Sequence, residues 1–540
     1  MGRKFLYLIQ TVFPNKKNKI LFYYGAGLLL LVSIGLIYLR SLESFLDLEM
    51  QDEALYMAGI LGPKMSQRDL LSAPLFSGFY AFFSILLPDR VKLYYFCVRL
   101  LILLPAISTY IFLLRIKCHV ALAFSIAFLG FFSWINLGST PHINHFYTSF
   151  LLSGALFCFG SSLENALIRF SLVLSIGCFI RPESGFSAIL TLLLACIFQV
   201  RNHWPLQLRK GWLQFLIIGT ISSGILIFEK GIIFNQKRSN IAFLQHYHLS
   251  IQEAGISESI WAKNHNIFTK DFKESSILWK AMLENPSVVK DHVLRNIKFL
   301  LEYLRFYPGD FLNGYALWKI PGIYGNKIGM VLLIIIFASS FYMSRIKKVS
   351  LPKEYLVAFI LLGIASFPFL SACLLFHPRD HYQVPLFWFG ICSFGLFISH
   401  SFPPKVYWIV SGLIVVVFLC TVPSYPYKIN QKMGELVHFK TLQILKENGI
   451  KSGGLVSNSL FYQPYLGPDV SEVKMKNGQT PLMVYLKSEN VQVIIADWIF
   501  KEKAKRYPEW AKLISMPEEF GYKLIKPSVK DGPDIFIRQN

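Results

Sequence analysis

The chain has 540 residues, 54% of them hydrophobic and 16% aromatic, with only 16% charged and a mean hydropathy of +0.45, which excludes an ordinary soluble globular domain. The formal net charge of +22 does not point to nucleic acid, because much of the Lys and Arg flanks apolar runs, where the positive-inside rule accounts for it. The composition predicts a polytopic α-helical membrane protein.

Arg3, Lys4, Lys16, Lys17 and Lys19 precede the first apolar run, 20–39, and place the N-terminus in the cytoplasm. That run is about 20 residues long and has no small-residue cleavage site, so it is expected to be a retained anchor. Behind it comes an acidic loop. Carboxylates at 43, 47, 49, 52 and 53 cluster in a protein with only 32 acidic residues. If the segment is helical, Glu49, Asp52, Glu53 and Tyr56 share one face, because residues three and four apart are neighbours on a helix. The apolar neighbours Leu48, Met50, Leu55 and Met57 would hold that ridge against the bilayer surface. A carboxylate so placed can serve as a general base; a solvated acidic turn is the alternative.

Further apolar runs long enough to cross or deeply enter a bilayer lie at 93–114, 119–137, 184–200, 211–228, 328–343, 355–376, 383–399 and 405–422, with shorter ones at 74–88, 145–160 and 166–180. Basic loops at 201–210 and 344–354 are expected in the cytoplasm, which puts the loop 229–327 and everything after 423 outside. An outside tail requires an odd number of crossings, eleven or thirteen. Three polar interruptions break this apolar pattern. His142, Asn144 and His145 follow Pro141; Arg181-Pro-Glu183 separates two runs; His377-Pro-Arg-Asp-His-Tyr382 lies between two more. Charge inside a membrane protein usually faces a cavity or a partner. Arg181 and Arg379, with His381 and Tyr382, could face a phosphate, whereas an Arg181–Glu183 pair capping a turn, or a plain polar loop at 377–382, is the bland alternative.

Within the outside loop, Glu274 to Leu304 has helical periodicity broken at Asn285-Pro286, suiting either a packed lid or a helix lying on the membrane. From 426 to 540 the pattern becomes soluble. A helix over Glu435–Glu447 stopped by Gly449, and strands at 454–457, 491–496, 522–525 and 534–538, predict a small α/β domain. The eight cysteines all sit in or at the ends of apolar runs with no metal-ligand spacing, so neither disulfides nor structural zinc are expected. The large loops carry no usable glycosylation sequon, which favours a bacterial inner membrane.

The order of basic N-terminus, span, Asp52-Glu53-Ala-Leu-Tyr56 loop and Pro74-Leu-Phe leading into a series of spans resembles the polyprenyl-phosphate-dependent glycosyltransferases of the GT-C fold, and within them the protein O-mannosyltransferase and lipid A aminoarabinose transferase branch. The resemblance implies a GT-C-like transmembrane domain over 1–425, with a catalytic loop at 40–73 and an extracytoplasmic loop at 229–327, followed by the soluble domain 426–540. It implies inverting transfer of a sugar from a polyprenyl-phosphate donor to a glycan, lipid or protein acceptor at the outer face. Carried over residue by residue, it makes Asp52 the base beside Glu53, and Arg181 a contact to the lipid phosphate. His381-Tyr382-Gln-Val-Pro385, with Arg379 upstream, matches only part of a late family motif. Ala73 stands where the aminoarabinose branch has Lys, and His142, Asn144 or His145 where an acidic residue is expected. No cofactor is required, although Glu49, Asp52 and Glu53 could bind a divalent metal. A transporter or lipid flippase, or a non-catalytic assembly protein, would share the span count; a transporter usually shows symmetry between halves, which this chain lacks.

Overall fold

The computed structural model describes residues 16–44, 46–61, 73–138, 140–202, 210–228, 243, 245–251, 271–272, 283–312, 352–421, 436–457, 461–473, 481–505, 507–527 and 532–539. The apolar run 328–343, the basic segment 344–351 and most of the loop 229–327 lie outside these. The described helices are α1 (Lys16–Tyr38), α2 (Asp52–Leu61), α3 (Pro74–Ser84), α4 (Arg90–Arg115), α5 (Val120–Phe131), α6 (Trp134–Gly138), α7 (Ile143–Ala155), α8 (Leu163–Gly177), α9 (Ser184–Asn202), α10 (Lys210–Phe228), α11 (Pro286–Leu312), α12 (Lys353–Leu375), α13 (Asp380–Ser401) and α14 (Pro404–Thr421). After them come α15 (Val437–Glu447), β1 (Gly453–Val456), α16 (Gln463–Leu466), β2 (Val470–Val473), α17 (Leu482–Ser488), β3 (Val491–Ala496), α18 (Trp498–Ala504), α19 (Pro508–Ser515), β4 (Tyr522–Ile525) and β5 (Asp534–Arg538). The protein is thus mainly helical with a small C-terminal sheet.

Four of the described helices are long and apolar enough to cross a membrane: Ile20–Ser44, Arg90–Arg115, Lys353–Leu375 and His381–Ser401. Leu21, Leu29 and Ile37 on α1 stand out of the protein surface, a face that lipid would cover and water would not. Pro105, Pro368 and Pro385 sit inside α4, α12 and α13.

The chain folds as two compact units. The first comprises residues 1–38 and 101–424. Here α8 packs on α9 and α10, α12 pairs with α13, and α5 lies against α14, α1 and α13. Gly130 on α5 has a packing reason. A Cβ there would come within 2.4 Å of the Trp388 ring, so only glycine lets the indole lie against that helix. The Trp388 N–H then donates to Asn136 Oδ1 at 3.2 Å. At the end of α12, Asn296 of α11 donates to the carbonyls of Leu374 and Phe376, and His292 Nε2 lies 3.1 Å from Leu375 O. The carbonyls left over at that helix end thereby find partners. Pro286 opens α11, as expected at the Asn-Pro break, and buried His292 and Asn296 hold the helix to α12, while Leu294 stands 51% exposed.

The second unit comprises residues 39–100 and 425–540, so the loop after the first span belongs with the C-terminal segment. Its five-stranded sheet has the order β2-β1-β3-β5-β4, with β1 parallel to β2 and β3, and β5 antiparallel to β3 and β4. Val456, Ile494, Ala496 and Phe536 face Tyr485, Phe500, Trp510 and Leu513 of the covering helices, forming one buried core. The α15 helix ends as its sequence predicts, with Gly449 in the left-handed region at φ 72° and its N–H bonded to Lys446 O.

Candidate functional site

The acidic loop is held within the second unit by hydrogen bonds from several elements. Tyr95 donates to Leu46 O at 2.9 Å, Arg99 to the carbonyls of Leu39 and Arg40 and to Glu43, and Tyr465 to Glu49 O at 2.6 Å. The Phe461 N–H bonds Met50 O at 2.8 Å. Asp47 accepts the N–H groups of His438 and Phe439 at 2.9 Å each, satisfying amides at the start of α15. Leu48, Met50 and Met57 are buried in this packing, so the protein covers them, and not a bilayer surface.

The expected common ridge of Glu49, Asp52, Glu53 and Tyr56 does not form, because the helix starts only at Asp52. Glu49 precedes it and turns its carboxylate back over the helix start. Its Oε1 accepts from the N–H groups of Gln51 and Asp52 and its Oε2 from that of Glu53 at 2.5 Å. Burial pushes the Glu49 carboxyl up to about 7, and the Glu53 and Asp52 charges push the same way. Glu53 is fully buried and accepts the Tyr80 hydroxyl at 2.6 Å. Asp52 is exposed. Adjacent residues on a helix point about 100° apart, and here one carboxylate goes into the core and the other to the surface. Tyr56 is half-buried, edge-on to Phe76 at 5.3 Å. Among the described residues no three His, Cys, Asp or Glu side chains are arranged to hold a metal ion.

In the first unit, the three polar interruptions that the sequence keeps far apart come together. Arg181 is buried, and its guanidinium lies 5.5 Å from the centre of the Tyr382 ring, a cation–π distance. Its Nε is 3.4 Å from Glu183 Oε2. Asn144 donates to the carbonyl of His381 at 2.7 Å, tying the start of α7 to that of α13. His145 Nε2 is 2.8 Å from Asn136 O, and the His142 ring lies 5.2 Å from that of His145. Arg181, Arg379 and His246 are all within electrostatic reach of buried His381. Arg379 itself is exposed. Arg181, His381, Tyr382, Glu183, His142 and His145 therefore belong to one neighbourhood, whereas Asp52, Glu53, Glu49 and Tyr56 belong to the other unit.

Sequence reasoning missed His246, whose ring lies 6.1 Å from Tyr382 and 5.9 Å from Phe376. It lies in a helical segment, 245–251, inside the long loop 229–327, where Phe243, Tyr247 and Ile251 at four-residue spacing form a small buried cluster that the sequence reading did not mark. It also missed Tyr80 and Tyr465, which look like ordinary aromatic residues until the fold brings them to the acidic loop.

No family model matches the chain, and no curated protein matches it. Among solved structures the chain is similar to the crystal structure of the Archaeoglobus fulgidus oligosaccharyltransferase in the apo form, at 10% sequence identity and a TM-score of 0.40, covering 94% of this chain and 74% of that one. At that score the likeness carries no argument about fold or function.

Proposed function

We propose that the protein is a membrane glycosyltransferase that moves a sugar from a polyprenyl-phosphate donor to an acceptor at the outer face of a bacterial inner membrane, with inversion at the anomeric carbon. The observation that carries this reading is the buried Arg181 guanidinium, packed on Tyr382 beside His381, with Arg379 and His246 in electrostatic reach. Burying a guanidinium is costly, and the Glu183 carboxylate that pairs with it is 43% exposed. A phosphate on a lipid would meet the bidentate geometry that arginine offers.

In this reading Asp52 takes the proton of the acceptor hydroxyl or amine. The acceptor oxygen or nitrogen bonds to the anomeric carbon, the bond from that carbon to the phosphate oxygen breaks, and polyprenyl phosphate leaves with the electron pair. The phosphate is already a stable anion, so it needs electrostatic support and no proton, and Arg181 with Arg379 supplies it. Of the three carboxylates at the α2 start, Glu49 is engaged by amides and Glu53 by Tyr80, while Asp52 faces solvent, which supports its assignment as the base.

The reading also implies eleven or thirteen crossings, a cytoplasmic N-terminus and an extracytoplasmic C-terminal domain. Its test is sugar transfer from a labelled polyprenyl-phosphate donor in membranes. Asp52→Asn should lower turnover by about 10²–10⁴-fold, the range that a general base commonly contributes. Arg181→Ala should chiefly raise the donor KM, and normal kinetics in both variants would point to a transporter or an assembly role.

A further inference from the structure

In the second unit, α3 is apolar on both of its faces. From Ala73 to Pro88 the chain carries no charged side chain. One face of α3 is turned to α2, where Phe76 meets the Tyr56 ring edge-on and buried Tyr80 donates to Glu53. On the other side Leu75, Phe82, Ile85 and Leu86, spaced by seven, three and four residues, make a stripe along the helix and the turn that ends it. Phe82 leaves 61% of its surface uncovered, Ile85 80% and Leu86 67%. The backbone at that end asks for no water. The N–H groups of Leu86 and Leu87 both bond Phe83 O, and the Ser84 hydroxyl donates to Ala81 O at 2.7 Å.

The stretch that holds α3 is bounded on both sides by helices long and apolar enough to cross a membrane, Ile20–Ser44 and Arg90–Arg115. At about 1.5 Å per residue, the 26 residues of α4 run about 39 Å, about 9 Å more than a hydrocarbon core of about 30 Å. Its first turns, with Arg90 and exposed Lys92, therefore suit the headgroup layer. Only residues 85–89 join α3 to Arg90, a reach of at most about 18 Å. The Phe83 ring in fact lies 5.2 Å from that of Phe96 in the second turn of α4. The uncovered stripe is thus continuous with the end of a spanning helix. With 11 residues, α3 is about 16 Å long and too short to cross by itself.

We infer that α3 is a membrane-surface helix, with its Leu75, Phe82, Ile85 and Leu86 stripe sunk in the lipid beside α4 and its Tyr80 face carrying α2. Packed helices lie about 8–10 Å apart, so α2 rides one helix spacing above the lipid. That this height brings Asp52 level with a lipid-linked donor rests on the transferase reading above; the insertion itself does not.

Spin labels at Phe82→Cys and Ile85→Cys, each in a Cys196→Ser background that removes an exposed native thiol, test this on the full chain in vesicles of phosphatidylethanolamine and phosphatidylglycerol. Oxygen, which concentrates in lipid, should relax both labels more strongly than the water-soluble nickel(II) ethylenediaminediacetate complex. A label at Lys487→Cys, exposed on α17, should show the reverse order. Because Phe82 and Ile85 are exposed, labelling them leaves the packing of α3 on α2 untouched. Stronger relaxation by nickel at 82 and 85 would put the stripe in water, and labels shielded from both reagents would mean that protein, a second copy of this chain included, covers it. Either result overturns the insertion. The readout needs no sugar donor, so a protein that failed to transfer sugar would still give it.

Discussion

At the scale of single residues, Glu49 combines two roles that conflict. Its oxygens accept three amide hydrogens at the start of α2, yet burial and the adjacent Glu53 and Asp52 carboxylates hold its pKa up at about 7. Between the ordinary carboxylate value and about 7, the folded chain holds a proton that the unfolded chain has lost. Glu49 therefore contributes stability below that window and loses it as pH rises through it. His292 has the opposite sign. Burial lowers it to about 4, so its contribution is lost as pH falls from the ordinary imidazole range towards that value. The difference between wild type and Glu49→Gln isolates Glu49. From about pH 5 to about pH 7.5 the apparent Tm of the wild type should drop relative to that of the variant. Parallel curves would show that Glu49 titrates as a normal carboxylate. What the sequence shows at this scale is the clustering of acids; which of them faces water depends on where α2 begins, and no local pattern marks that point.

At the scale of elements, the acidic loop works as a clamp. Asp47 sits almost four hundred residues from the helix whose first amides it caps. Asp47→Ala should destabilise the second unit by about 1–2 kcal/mol, the usual value of a lost cap, measured as earlier protease cleavage at the start of α15; an unchanged cleavage rate would mean that α15 holds its own start. The strands β3, β4 and β5 were legible to the residue, since Val491–Ala496 and its partners are short apolar runs between turn signals. β2 was not, because Val470-Ser-Glu-Val473 buries only its two ends and keeps two polar residues exposed between them. The helix over 119–137 was expected as one run, but it ends at Phe131 and restarts at Trp134, where Ser133 bonds back to Gly130 O.

At the scale of the molecule, hydropathy made the membrane character plain, and four described helices satisfy it on length alone. The proposed direction of the crossings rests on the basic loops at 201–210 and 344–354, much of which lies outside the described residues. Orientation is open to direct measurement: Lys487→Cys, on the exposed face of α17, should react with a membrane-impermeant maleimide in spheroplasts, and labelling only after lysis would reverse the topology. The polar breaks at 142–145, 181–183 and 377–382 were each visible as interruptions of apolar runs. Their meeting around Arg181 was not, since bonds such as Asn144 to His381 span more than two hundred residues and leave no trace in local periodicity.

The central claim is that an exposed carboxylate at the head of α2 drives sugar transfer, and it is met most directly by single-turnover transfer from a labelled polyprenyl-phosphate sugar in membranes carrying wild type or Asp52→Asn. The account predicts that the variant still binds the donor but transfers at least about 100-fold more slowly. Transfer by Asp52→Asn at the wild-type rate would contradict it.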